Sequence, residues 1–103
     1  MDLIDKNLAA CTQTGRLGDI LERDGSGVKI RYGANSGGAE NYVFFVTADG
    51  ECLHIDTVID QIGEVDFTDP DDRQWFLVGY QVNYEDSDLT DAHTGQSIPA
   101  AYG

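Results

Sequence analysis

The chain of 103 residues sets 6 Lys+Arg against 19 Asp+Glu, a formal net charge of −13. That charge excludes binding nucleic acid by neutralising phosphates, and attachment to an anionic membrane. A hydrophobic fraction of 41% still suffices for one small core, so one folded domain over 1–103 is expected, not a disordered acidic chain.

Residues Leu3 to about Gln13 read as a helix, because Leu3, Ile4, Leu8 and Cys11 recur at three- and four-residue spacing. From Leu17 the period becomes two. Asp24-Gly25-Ser26-Gly27 is a turn joining strands Leu17–Arg23 and Val28–Gly33. Gly33-Ala34-Asn35-Ser36-Gly37-Gly38 is a small-residue connection, too irregular in glycine spacing for a phosphate loop. Strands Tyr42–Ala48 and Glu51–Val58 flank Asp49-Gly50, the pair favoured in a type I′ hairpin. A further short strand is expected in Gln61–Thr68, then a turn at Asp69-Pro70-Asp71-Asp72. Trp75–Tyr84 is the longest strand, apolar on both sides in its first half and so expected to be central. Ser87–Gly103 is a polar C-terminal tail. These elements predict an α+β fold with a short N-terminal helix packed on a twisted antiparallel sheet of five to six strands; a small half-open β-barrel is the alternative.

Cys11 and Cys52 form no C-x-x-C pair, so no zinc centre is expected, and the sequence calls for no cofactor. The N-terminal Met-Asp-Leu-Ile-Asp-Lys is charged where a secretory signal is apolar, which gives the expectation of a cytoplasmic protein with free thiols. No apolar run approaches the ~20 residues of a membrane span. Cys52, His54 and Asp56 alternate on one strand face and hold the ingredients of a nucleophile, its base and an orienting group. Neighbours on one twisting strand diverge, however, and no glycine-rich elbow follows Cys52, so no enzyme is expected. The acidic segments Asp66–Asp72 and Asp86–Asp91 lack the Gly and terminal Glu of a calcium loop.

The distribution of charge is the most informative feature. Residues 1–39 balance five acids with five bases, while residues 40–103 hold fourteen acids and one base, Arg73, and so carry the whole −13. The acids gather in two clusters, Glu64, Asp66, Asp69, Asp71, Asp72 and Glu85, Asp86, Asp88, Asp91, flanking the long strand. Ten strand residues would separate the clusters by roughly 33 Å, and carboxylates at i and i+2 on a strand stand ~6.7 Å apart, comparable to successive phosphates. Ordinary surfaces mix their signs. In these nine carboxylates the chain resembles small acidic phage-encoded inhibitors: anti-CRISPR proteins, antirestriction DNA mimics and the uracil-glycosylase inhibitor. The resemblance implies binding to the basic nucleic-acid-binding surface of a host defence protein, a CRISPR-Cas effector first, with the nine carboxylates at the interface. Alternatives are a small phage structural or assembly protein, or a ligand-binding module, in which the acids serve solubility alone.

Overall fold

Helix α1 starts where Asp2 accepts a hydrogen bond from the Asp5 amide, and it spans Leu3–Leu8 in a computed structural model that describes residues 2–31, 42–86 and 88–100. It stops short of the expected Gln13. Thr12 and Thr14 are β-branched, and the Thr12 hydroxyl bonds the Gly15 carbonyl at 2.6 Å instead of leaving the backbone to a helix. The resulting tight turn is closed by Thr12 N to Gly15 O at 2.9 Å. Gly15 sits at φ +147°, and a Cβ there would lie 2.4 Å from the Tyr80 hydroxyl, so only glycine fits. A single 3₁₀ turn, Leu17–Asp19, then leads into β1.

Strands β1 (Leu21–Asp24) and β2 (Gly27–Ile30) form an antiparallel hairpin through the expected Gly25-Ser26 turn. The expected connection at 33–38 lies outside the described residues. A second antiparallel sheet runs β4-β3-β5, with β3 at Val43–Thr47, β4 at Cys52–His54 and β5 at Leu77–Val82. The β3–β4 turn falls at Asp49-Gly50, but it is not type I′. Type I′ requires positive φ at both central residues, whereas Gly50 alone takes it (φ +85°), and Gly50 N bonds Thr47 O at 3.0 Å.

The fold is α+β, as expected, but the five strands divide into sheets of two and three. The strand predicted last is an edge strand, and β3 is central. Both outer edges of the larger sheet are occupied by irregular backbone, leaving none for β1 and β2 to extend. Along β5, Gln13 N donates to Val78 O and Tyr80 N donates to the Thr14 hydroxyl. Along β4, Ala92 N donates to Cys52 O, and His54 N donates to the Asp91 carboxylate. A register shift at Val46/Thr47 leaves Val78 unpaired in the ladder and breaks the expected alternation of β5. Leu77 and Tyr80, on opposite faces by simple counting, therefore both enter the core.

The largest departure follows β4. The predicted strands Glu51–Val58 and Gln61–Thr68 are replaced by a three-residue strand and helix α2, Ile55–Gln61. His54 caps it by accepting from the Asp56 amide. Ile55, Val58 and Ile62 are at most 2% exposed, and they close the core with Phe45, Leu53 and Phe67. Burying a side chain of this size contributes roughly 1.5–3 kcal/mol.

Two buried asparagines hold the connections. Asn7 Nδ2 donates to Ile62 O and Val65 O, at 2.9 and 2.8 Å, while its Oδ1 accepts from Phe67 N at 2.9 Å. Asn83 Nδ2 donates to Asp86 O, Ile98 O and Pro99 O, and its Oδ1 accepts from Asp86 N. One fixes the chain leaving α2, the other the chain leaving β5. Both of those segments carry acidic clusters.

Candidate functional site

Ion pairing follows the halves of the sequence. Arg23 reaches Asp2 and Asp5, Lys29 and Arg31 reach Glu22, and Lys6 crosses to Asp66 at 2.7 Å. Three of the five bases of the balanced half, Arg23, Lys29 and Arg31, are thus spent on its own acids. Among the described residues, no Lys or Arg pairs with Glu64, Asp69, Asp71, Asp72, Glu85, Asp86 or Asp88, and all seven are exposed. Arg73, the one base of the acidic half, donates to Ala48 O at 2.7 Å and pins the β3–β4 turn.

The first cluster lies in the loop between α2 and β5. Asp69 accepts from the Asp71 amide at 2.9 Å, and Asp72 O accepts from Trp75 N and Phe76 N. These acids sit on turns, not on a strand, so the 6.7 Å strand spacing expected between them does not apply. Asp66 differs from its neighbours. Lys6 and Thr68 bond its carboxylate and hold its pKa down to about 2. A lowered carboxylate pKa contributes stability above the unfolded value, about 3.9, and loses it as pH falls toward 2. Asp66→Asn is expected to flatten stability over that window. The partly exposed pair limits the loss at neutral pH to about 1 kcal/mol, measurable by urea titration at pH 2.5 and pH 7.

The second cluster leaves the other end of β5, six residues or roughly 20 Å away, not 33 Å. Asp86 caps the Asp88 amide at 2.9 Å, another local turn. Asp91 does not belong to an accessible surface. It is 2% exposed, with one oxygen on His54 N and the other on His93 N and Thr94 N. Burial opposes its charge, but the Thr57 hydroxyl and these three amides outweigh burial and lower its pKa. Asp91 anchors the chain to β4. Beyond it His93 meets the Trp75 ring edge-on, with centroids 5.1 Å apart. The segment leaving the second cluster therefore ends beside the loop of the first, a link not foreseen from spacing along β5.

The Cys52–His54–Asp56 face does not survive as one strand face, because α2 begins after His54. His54 Nδ1 lies 3.5 Å from Asp56 and is engaged in capping. Burial pushes the Cys52 thiol up, with Glu51, Asp86 and Asp91 adding to the rise, so little nucleophilic thiolate forms at neutral pH. Cys11 and Cys52 are free. Among the described residues, no three His, Cys, Asp or Glu side chains are placed to hold a metal ion, and no helix is long and apolar enough to cross a membrane.

One concave feature had no sequence signal. Leu53 of β4, Gln74 and Trp75 just after the first cluster, and Ala92 and His93 just after the second line a cleft of about 210 Å³. Trp75 reads from sequence as a strand residue. It lies before β5, packed on Phe67 at 6.0 Å and half-buried.

Comparison with protein-family models, with curated proteins and with solved structures finds no match for this chain.

Proposed function

We propose that this protein is an acidic inhibitor that binds the basic nucleic-acid-binding surface of a host defence protein, a CRISPR-Cas effector first, and blocks it. The observation that carries the reading is the division of its carboxylates. Asp2, Asp5 and Glu22 of the first half pair with neighbouring bases, while Glu64, Asp69, Asp71, Asp72, Glu85, Asp86 and Asp88 are exposed without Lys or Arg partners among the described residues. Unpaired like charges repel and cost stability, and a surface that attracts a basic partner by long-range steering offsets that cost in function. Asp91 is excluded from this surface by burial, and Asp66 belongs to its ion pair with Lys6. The interface is thereby reduced to seven acids.

Binding to a nucleic-acid-binding effector is expected to weaken by tenfold or more between about 50 and 200 mM salt, in competition with the effector's nucleic acid. Reversal of Asp69, Asp71 and Asp72 to Lys is expected to weaken it by at least about 100-fold, since like-charge contacts cost several kcal/mol. Asp69 also caps the Asp71 amide, so Asp69→Asn, which keeps an acceptor there, serves as the control. Salt-independent affinity would sink the proposal. A chain that elutes alone on gel filtration with every such effector, and is insensitive to the reversals, would point to an assembly protein whose acids serve solubility.

A further inference from the structure

The geometry points to the cleft between Trp75 and His93 as the seat for one arginine side chain of the basic partner. This inference rests on the inhibitor reading and narrows it to a contact point. At about 210 Å³ the cleft lies below the ~300–1,000 Å³ of pockets for drug-sized ligands, but it can admit a single side chain. Its lining joins the buried Leu53 to the half-buried Trp75, and aromatic residues in partly desolvated pockets dominate interfaces.

The charge around it selects the occupant. On one side, the loop bearing Asp69, Asp71 and Asp72 is tied to Trp75 through the Asp72 carbonyl, which accepts from Trp75 N at 3.0 Å. On another, the β3–β4 turn bearing Asp49 and Glu51 is joined to the same loop by Asp49 N to Arg73 O. Arg73, the base of that loop, is committed to the Ala48 carbonyl. A cation is therefore favoured over an anion or a neutral apolar group. Among cations, guanidinium stacks on an indole face and gives up its hydration more readily than ammonium does, which selects arginine over lysine.

Trp75 is the only tryptophan, so its emission reports on this cleft directly. The experiment titrates the protein with an oligo-arginine peptide, an oligo-lysine peptide of equal charge, and a neutral glycine-serine peptide. A saturable emission change is expected with oligo-arginine, at an affinity at least threefold above oligo-lysine, and none with the neutral peptide. Ala92→Leu fills the cleft from an exposed backbone position and is expected to weaken oligo-arginine binding at least tenfold while the melting temperature holds. Calorimetry on Trp75→Leu checks the same loss without the fluorophore. Absence of a saturable change in the wild-type protein overturns the inference. So does unchanged affinity in Ala92→Leu, and if the Asp69/Asp71/Asp72 reversal still abolishes binding to the effector, the inhibitor reading stands without the cleft.

Discussion

Asn7→Leu is expected to destabilise the protein by about 3 kcal/mol or more, although it puts a good helix former into a helix. The side chain is fully buried, and its three hydrogen bonds go to the backbone of Ile62, Val65 and Phe67, 55 to 60 residues away. Leucine would leave two carbonyls and one amide without their asparagine partner, at about 1–3 kcal/mol for each that stays buried and unsatisfied. Against a total stability of about 5–15 kcal/mol this loss is large. The melting temperature should fall by about 12 °C or more. Asn7→Asp separates the parts of the interaction. It keeps the acceptor for Phe67 N but turns oxygen toward two carbonyl oxygens, so it should be at least as damaging at neutral pH and partly recover as the carboxyl protonates. A loss below 1 kcal/mol for Asn7→Leu in urea unfolding would show that the loop does not depend on this residue.

Asn7 also shows where reading the sequence stops. Local signals were sound: the Gly25-Ser26 turn, the Asp49-Gly50 position and the apolar core of β3 all lie where composition and period put them. α2 is the contrary case: Ile55, Val58, Ile59 and Ile62 recur at helical spacing, yet strands were expected there. Their β-branched side chains and the alternation leading up to them pulled the reading toward strand, and packing against Phe45 and Leu53 decided for helix. The division into two sheets was not legible. It depends on the Thr12–Gly15 turn and the Asp91 segment reaching sheet edges far away in sequence, and no periodicity records such contacts. Carboxylates have the same limit. Asp91 and Asp88 look alike as letters, yet one is buried under three amides and the other faces water. Charge placement along the chain therefore marked the two acidic segments, but it set Glu64 and Asp66 on a strand where the structure has turns, and it could not say which acids were spent inside the fold.

Asp91→Ala is expected to release the chain from Leu89 to Ile98 before the rest of the molecule unfolds. The carboxylate joins that segment to β4 through His54 N and shapes its turn through His93 N and Thr94 N. Alanine would strip these amides of a charged acceptor, a loss of about 3 kcal/mol or more if all stay buried. Opening the segment lets water reach them and lowers that cost, so local opening should precede global unfolding. Asn83 still clamps Ile98 O, which makes the released piece a loop and not a free end. Three measurements should change together. Amide exchange should rise at residues 54 and 91–98, limited proteolysis should cut within that stretch, and Trp75 emission should shift red as His93 leaves its ring. Asp91→Asn, which keeps one acceptor, should fall between alanine and wild type. The pH dependence has a fixed sign: a lowered pKa stabilises above the unfolded value near 3.9 and ceases to do so as pH falls through the folded value. Wild type should therefore open this segment in acid, while Asp91→Asn should show a flatter profile over the same range. Equal exchange in wild type and Asp91→Ala at neutral pH would mean that burial of Ile98, and not the carboxylate, holds the segment in place.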